Sequence, residues 1–167
     1  MAQEVNQDQQ QFHEVAADFT DAMLVTLRAD GAMHARPMAI AALRPNGETY
    51  FATALDSPKV QELEANAEVL VTFQGESQFA TLRGPVRVSR DARLIDELWQ
   101  PDWEVWFPGG RSDPNLCILV VTARDGEFWD RRGAQGVGYR FIDAEARRRG
   151  DTSDVPEENH AKVKFGG

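Results

Sequence analysis

A serine, a proline and a lysine follow a short apolar strand at the spacing of a helix start. The strand is predicted at Tyr50 to Thr53, and Ser57, Pro58 and Lys59 then open a helix. Ser57 suits the N-cap because its hydroxyl can accept from a free backbone N–H, and Pro58 suits the first helical position because no N–H is needed there. Lys59 is a cation at the positive end of a helix dipole, which indicates a negative partner such as a phosphate. A capped surface helix with a solvated lysine is the alternative, and it stays open here.

Other residue types that carry chemistry are scattered along the chain. His13, His34 and His160 have no metal-ligand spacing and no HExxH motif, so we expect surface or packing roles and no metal site. Cys117 lies in an apolar run and is expected to be an inert core thiol, because reactive cysteines need an accessible, electropositive setting. The glycines within 133–138 are in the wrong order for a dinucleotide-binding loop, so a flexible loop is predicted there.

The composition narrows the class of protein. A chain of 167 residues suits one domain that needs neither disulfides nor metals. Its formal net charge of −9 and pI of about 4.8 argue against a general nucleic-acid or anionic-membrane surface. One cysteine allows no internal disulfide, and neither a signal segment nor a membrane-spanning run is recognisable. We therefore expect a soluble cytoplasmic protein, with a disordered lead-in at 1–10 and a single domain at 11–167.

The elements that would position these residues are mostly strands joined by tight turns. A hairpin is predicted from residues 22–28 and 33–43, and a buried strand at 116–122 precedes a last strand at 127–131. Helices are predicted to begin near Phe12, Pro58 and Ala92. Because regular βαβ alternation is absent, we expect a β-rich α+β fold, an antiparallel barrel of six or so strands with covering helices.

Two residues constrain the predicted strands further. Pro37 removes a ladder donor, so its strand must lie at an edge or carry a bulge that re-aims Arg36 and Met38. Gly84 interrupts the apolar alternation of residues 78–90, as a strand that bends within a curling sheet requires.

After the last predicted strand the pattern is weaker. Residues 138–149 are predicted to be helical and 150–158 to be a polar loop, and residues 160–165 form a short tail that could dock.

Several motifs occur in a characteristic order. They are Ala35-Arg36-Pro37-Met38, Phe51-Ala52-Thr53, Ser57-Pro58-Lys59-Val60, Asp96-Glu97-Leu98-Trp99, Trp106-Phe107-Pro108-Gly109-Gly110, Glu127-Phe128-Trp129-Asp130 and Glu158-Asn159-His160-Ala161-Lys162-Val163. In order and spacing they resemble the flavin-binding split-barrel proteins related to pyridoxamine 5′-phosphate oxidase, and within them the general stress protein 26 group. The resemblance covers most of the chain, and the split form of the barrel is what it implies for the fold.

The resemblance implies an FMN cofactor, with FAD as an alternative. It places the FMN phosphate on Arg36, Ser57 and Lys59, with Thr53 near the ribityl-phosphate end. The residue types suit this task, because arginine offers a planar fork, lysine a point charge and a helix N-terminus oriented N–H donors.

The resemblance also implies where the flavin ring and a second subunit lie. The backbone at Pro37 and Met38 would run beside the isoalloxazine ring, and the flavin would sit at a homodimer interface. Trp129 would then reach the partner's cofactor.

An aromatic loop at residues 101–115 allows two interpretations. Together with the preceding Trp99, the residues Trp103, Trp106 and Phe107 could belong to the core, which is common for clustered aromatic residues. Alternatively, Trp103 and Trp106 could wall the open, substrate side of the flavin on a loop hinged at its glycines.

One departure from the family pattern limits the function. Pyridoxamine phosphate oxidases carry an Arg-x-His soon after the last tryptophan, whereas here Trp129 is followed by Asp130-Arg131-Arg132-Gly133. This argues against pyridoxamine phosphate oxidation and leaves flavin binding untouched. We expect a flavin-binding protein of the general-stress type, with FMN-dependent oxidoreductase activity as its catalytic form and catalytic residues not identified. The alternatives are a non-catalytic flavin-binding or flavin-sensing stress protein and a cofactor-free interaction module.

Overall fold

The strands form one antiparallel sheet in a computed structural model that describes residues 5–131 and 160–166. The strands are β1 (Asp21–Leu27), β2 (Met33–Ala39), β3 (Ala42–Leu43), β4 (Thr49–Ala54), β5 (Glu68–Gln74), β6 (Gln78–Ser89), β7 (Leu116–Val121), β8 (Asp125–Asp130) and β9 (His160–Lys164). The α-helices are α1 (Gln7–Ala16), α2 (Pro58–Ala65) and α3 (Ala92–Leu98), and two 3₁₀ helices span Pro101–Val105 and Gly110–Ser112. The predicted β-rich α+β class is confirmed.

The long strand β6 is where the sheet divides. Residues 78–83 of β6 pair with β8, residues 79–85 pair with β5, and residues 86–89 pair with β7. The change of partner falls at Gly84, where an added Cβ would lie 2.0 Å from the carbonyl oxygen of Thr122. Only a residue without a side chain allows this approach, so Gly84 is required at the point where β6 changes partner.

The sheet is open, because the end strands of its main path, β2 and β3, do not pair with each other. The β1–β2 register runs without interruption from the Asp21–Ala39 pair to the Leu27–Met33 pair. Pro37 therefore lies on an edge strand, and the predicted alternative of a bulge is wrong.

The predicted strand at 33–43 is broken in two. The N–H of Ile40 donates to the carbonyl of Thr20 at 2.8 Å, and the N–H of Ala41 donates to that of Tyr50 at 2.8 Å. The chain thus leaves β1 and joins β4 within two residues, which separates β2 from β3. Hydrophobic alternation alone could not reveal this change of partner.

Helix α1 and the C-terminal strand close one end of the core. Phe12 of α1 makes edge contacts with Phe73 and with Phe165, at centroid distances of 6.4 and 5.3 Å. Residues 160–164 pair with β8, so the tail docks as the sequence suggested.

Helix α1 also begins earlier than expected, at Gln7. Asn6 and Gln9 form a reciprocal capping box that satisfies two free N–H groups, so the last residues of the predicted lead-in are helical. The helix predicted at 138–149 and the loop predicted at 150–158 lie outside the described residues. No helix in the described ranges is long and apolar enough to cross a membrane.

Candidate functional site

The turn between β4 and α2 is held in place by a neighbouring loop. Asn115 accepts from the N–H of Leu55 through its carbonyl at 2.7 Å and from the N–H of Asp56 through its side chain at 3.2 Å. Ser57 then has extended backbone angles at the N-cap position, and Pro58 is the first helical residue, as predicted. The first turn of α2 is therefore presented on a fixed support.

The hydroxyl of Ser57 does not cap the helix. It makes no cap hydrogen bond, and its oxygen is buried without a partner among the described residues. The prediction is thus right about the position and wrong about the hydroxyl bond. A buried polar atom without a partner costs free energy, so this oxygen marks a position where a group other than the described residues can form a hydrogen bond.

Lys59 is half-buried and is not a solvated surface lysine. Its Nζ donates to the Thr53 hydroxyl at 2.9 Å. Burial lowers the pKa of Lys59, and the nearby Arg36 guanidinium lowers that pKa further. Two cations therefore lie close enough to repel each other, which is the arrangement that an anionic ligand relieves.

Arg36 is anchored by two groups. Its Nη1 donates to the Thr26 hydroxyl and its Nη2 to Glu62 Oε2, each at 2.6 Å. The other oxygen of Glu62 lies 2.9 Å from Nδ1 of His34. The hydrogen bonds from His34 and Thr26, and then that from Arg36, lower the pKa of Glu62 to about 2. Glu62 is therefore ionised at neutral pH and opposes the charge of Arg36.

A cavity of about 500 Å³ opens beside this turn. Residues from the end of β2, from β4, from α2 and from the aromatic loop surround it. They are Pro37, Met38, Ala39, Ile40, Ala41, Ala52, Thr53, Ala54, Lys59, Gln100, Trp103, Trp106 and Phe107. Most of this lining is apolar and Lys59 is its charged member, so the cavity suits a largely flat apolar ligand with an anionic end.

The aromatic loop contributes both to the core and to this cavity. Phe107 is buried in a cluster with Tyr50 and Leu116, and Trp103 packs against that cluster. Trp106 lines the cavity while 78% of its surface is exposed. The loop is braced by Asp113, whose carboxylate accepts from the N–H groups of Gly109 and Asn115, each at 2.9 Å. Phe107 therefore belongs to the core, and Trp103 and Trp106 line a cavity, while their place beside a flavin stays a prediction.

The structure brings together only part of the predicted site. Pro37, Met38, Thr53 and Lys59 line the cavity, whereas Arg36 and Ser57 are not among the described residues that form its wall. Arg36 is nevertheless joined to α2 through its hydrogen bond to Glu62, three residues after Lys59.

Trp129 lies on a different part of the sheet. It belongs to β8 and stacks on His160 of β9, with a centroid distance of 5.3 Å and an interplanar angle of 10°. It is not among the described residues of the cavity wall.

Cys117 is buried beside the site, with its Sγ 3.4 Å from the Thr53 carbonyl oxygen. Burial raises the pKa of the Cys117 thiol to about 11. The protonated, enclosed thiol agrees with the predicted core position.

Sequence reasoning missed Thr26, Glu62 and Gln100, and it gave His34 only a surface or packing role. A signal existed for Glu62, which lies three residues after Lys59 and so shares its helix face. Alternation along β2 likewise places His34 on the same side as Arg36. Gln100 follows α3 without a pattern that marks it.

The comparisons with known proteins agree with this fold. The model of the family described as pyridoxamine 5′-phosphate oxidase like matches residues 7–151. The fold is thus that of an antiparallel split-barrel protein, with a cavity between its edge strand and an aromatic loop. The chain belongs to the pyridoxamine 5′-phosphate oxidase-like family. No curated protein shows significant sequence similarity to it.

Solved structures of this class superpose on most of the chain. A protein from Jannaschia sp. CCS1 assigned as a general stress protein 26 is 26% identical, with a TM-score of 0.69 over 95% of this chain and 98% of that chain. The general stress FMN/FAD binding protein from Xanthomonas citri is 28% identical, with a TM-score of 0.62 over 75% of this chain and 90% of that one. A pyridoxamine 5′-phosphate oxidase-related, FMN binding protein from Nostoc punctiforme, 14% identical with a TM-score of 0.58 over 74% of this chain and 82% of that one, shows the shared fold alone.

Proposed function

We propose that this protein binds FMN, with the phosphate at the start of α2 and the ring in the adjacent cavity. The observation that carries the proposal is the buried hydroxyl of Ser57, which has no partner among the described residues although it lies two positions before Lys59. Oriented N–H groups at the first turn of α2, the ammonium of Lys59 and the guanidinium of Arg36 add the donors that a phosphate needs.

The cavity provides room for the ring. Pro37 and Met38 form one side of it, and Trp103 and Trp106 form another. Ring stacking and apolar contact would orient the isoalloxazine between them, while Thr53 lies at the end nearest to Lys59. The flavin supplies the hydride and electron-transfer chemistry when bound, and these residues bind and orient it.

Homodimer formation is part of the proposal, and the outer side of the sheet supports it. Alternation along β1, β2 and β5 turns one set of side chains to the core and leaves an apolar set partly exposed on the other side. This outer face consists of Met23, Val25, Leu27, Met33, Ala35, Pro37, Leu70, Phe79 and Trp129. Because Pro37 belongs to both the outer face and the cavity wall, a subunit docked on this face would lie beside the flavin.

The first test is a visible absorption spectrum of the purified protein before and after titration with FMN and with FAD. We expect FMN to bind at about one flavin per chain, since each chain has one phosphate site. A protein that perturbs neither flavin spectrum would contradict the proposal and favour the cofactor-free interaction module.

Lys59→Ala tests the phosphate site directly. We expect FMN affinity to fall by about tenfold to a hundredfold, because hydrogen bonds to charged groups contribute roughly 1.5–3 kcal/mol. Arg36→Ala should weaken FMN binding as well. Lys164→Ala is the matched control, since that lysine side chain is 81% exposed and does not line the cavity. Unchanged FMN affinity in both site variants, with the fold intact by circular dichroism, would rule out this phosphate site.

Adding a reductant to the FMN-bound protein tests for redox activity independently of FMN binding. The oxidoreductase form of the proposal predicts catalytic bleaching of bound flavin by NADH or NADPH. Tight FMN binding without reduction by either donor would favour the non-catalytic stress protein.

A further inference from the structure

Glu62 of α2 is linked to the proposed phosphate site by several side-chain contacts. Its two carboxylate oxygens take part in three contacts with the two neighbouring strands β1 and β2, to Thr26, His34 and Arg36. The Arg36 and Glu62 side chains are each only 14% exposed. A charge pair this enclosed fixes the orientation of its members, because separating them would leave a poorly solvated charge.

The side chains of Thr26, Glu62 and Arg36 are hydrogen-bonded to one another in a ring. Thr26 is 1% exposed, and its hydroxyl donates to Glu62 Oε2 while it accepts from Arg36 Nη1. Arg36 Nη2 donates to the same carboxylate oxygen. Thr26 and Glu62 therefore hold two of the five N–H donors of the guanidinium. Among the described residues no further acceptor is recorded for Arg36, so three donors stay available for an anion.

Glu62 also offsets the repulsion between the two cations. Lys59 and Glu62 are three residues apart on α2 and so share one helix face. The Arg36 guanidinium disfavours the charged form of Lys59, and the Glu62 carboxylate favours it. Helix α2 thus supplies both a phosphate-binding lysine and the carboxylate that keeps the second cation beside it.

We infer that Glu62 is the positioning residue of the phosphate site, where it holds Arg36 in the orientation that receives the phosphate. This inference rests on the proposed function, because it assigns Glu62 a task only if FMN binds at Lys59 and Arg36. Glu62 acts through Arg36 and does not itself contact the ligand. A carboxylate close to the phosphate would by its charge alone weaken FMN binding. The proposed role of Glu62 is therefore to orient Arg36 and not to balance charge.

The test compares FMN with riboflavin, which has the same ring and no phosphate, by fluorescence titration of the wild type and Glu62→Gln. We expect Glu62→Gln to weaken FMN binding about tenfold, the lower end of the loss seen when an orienting partner is removed at metal sites, and to leave riboflavin affinity unchanged. Glu64→Gln removes the same charge from an exposed position on the same helix and should change neither affinity.

The outcomes separate this inference from the proposed function. If the wild type binds FMN no better than riboflavin, the phosphate site itself is wrong. If the wild type prefers FMN and Glu62→Gln keeps that preference, Glu62 does not position Arg36 for the phosphate, and if the preference increases, Glu62 competes with the phosphate. Either result would overturn the inference. Equal losses for both ligands would show a merely structural effect and would also overturn it.

A second pair of variants covers the case in which Glu62→Gln does not fold. Thr26→Val removes the shared hydroxyl with little change in shape, whereas Thr26→Ser keeps it. We expect the valine variant to show a smaller preference for FMN over riboflavin and the serine variant to keep the wild-type preference. An equal preference in the two variants would contradict the arrangement.

Discussion

Ser57 occupies a helix start without performing the usual task of a serine there. Its backbone has N-cap geometry, yet its hydroxyl stays unbonded, whereas the Asp91 carboxylate at the start of α3 accepts from the N–H of Leu94 at 2.9 Å. The two residues therefore allow ligand binding and helix capping to be tested separately.

Ser57→Ala should leave the thermal stability of the flavin-free protein unchanged or slightly higher, because the alanine removes an unsatisfied buried oxygen. The same variant should bind FMN more weakly. Asp91→Ala is the control and should cost about 1 kcal/mol of stability without affecting FMN binding. Thermal melts and FMN titrations of both variants measure these effects, and a clear loss of stability in Ser57→Ala would show that the hydroxyl does cap α2.

The residue types of the site could be read from the sequence, but their partners could not. Ser57, Pro58 and Lys59 are neighbours, so local helix chemistry predicted their positions. The contact of Arg36 with Glu62 joins residues 26 positions apart, and no local rule specifies such a pair. The hydrogen bond from Asp56 to Asn115 likewise joins residues 59 positions apart.

Among the elements, β6 determines how the sheet is divided. The sequence marked Gly84 because it interrupts a clear alternation, and the structure shows the reason for a glycine there, which is the approach of Thr122. The break between β2 and β3 could not be predicted in this way, because it depends on hydrogen bonds to Thr20 and Tyr50. Local pattern thus predicts the strands better than it predicts where a strand changes partner.

Gly84→Ala should be among the most damaging single substitutions in the protein. Its Cβ would meet the Thr122 carbonyl oxygen at 2.0 Å, and backbone cannot move aside as a flexible side chain can. We expect a loss of about 3 kcal/mol in the free energy of unfolding, measured by urea denaturation. Gly75→Ala is the control, because its nearest contacts lie at 3.3 Å and should cost much less. Equal losses in the two variants would contradict the account of the bend.

At the scale of the whole molecule, the proposed homodimer can be tested by a substitution on the outer face. Leu70 lies near the middle of the outer face and is 37% exposed. Leu70→Glu should shift a dimer toward monomer, because a carboxylate without a partner would be buried in the contact. Light scattering after size-exclusion chromatography measures this shift. Val105→Glu, at a 79% exposed site on the aromatic loop, should leave the assembly unchanged. A wild type that is monomeric at all concentrations would rule out the homodimer.

Helix α1 is synthesised long before β9, the strand with which it makes contact. Phe12 is among the first described residues to be made, but it packs against Phe165, and Gln9 donates to the carbonyl of Lys164. Until the ribosome has passed Phe165, the apolar face of α1 lacks this neighbour and one edge of β8 is unpaired. Exposed apolar surface and free strand edges are the features that chaperones recognise and that promote aggregation. A chain truncated before residue 160 would leave both surfaces uncovered, and we expect it to aggregate or to be degraded.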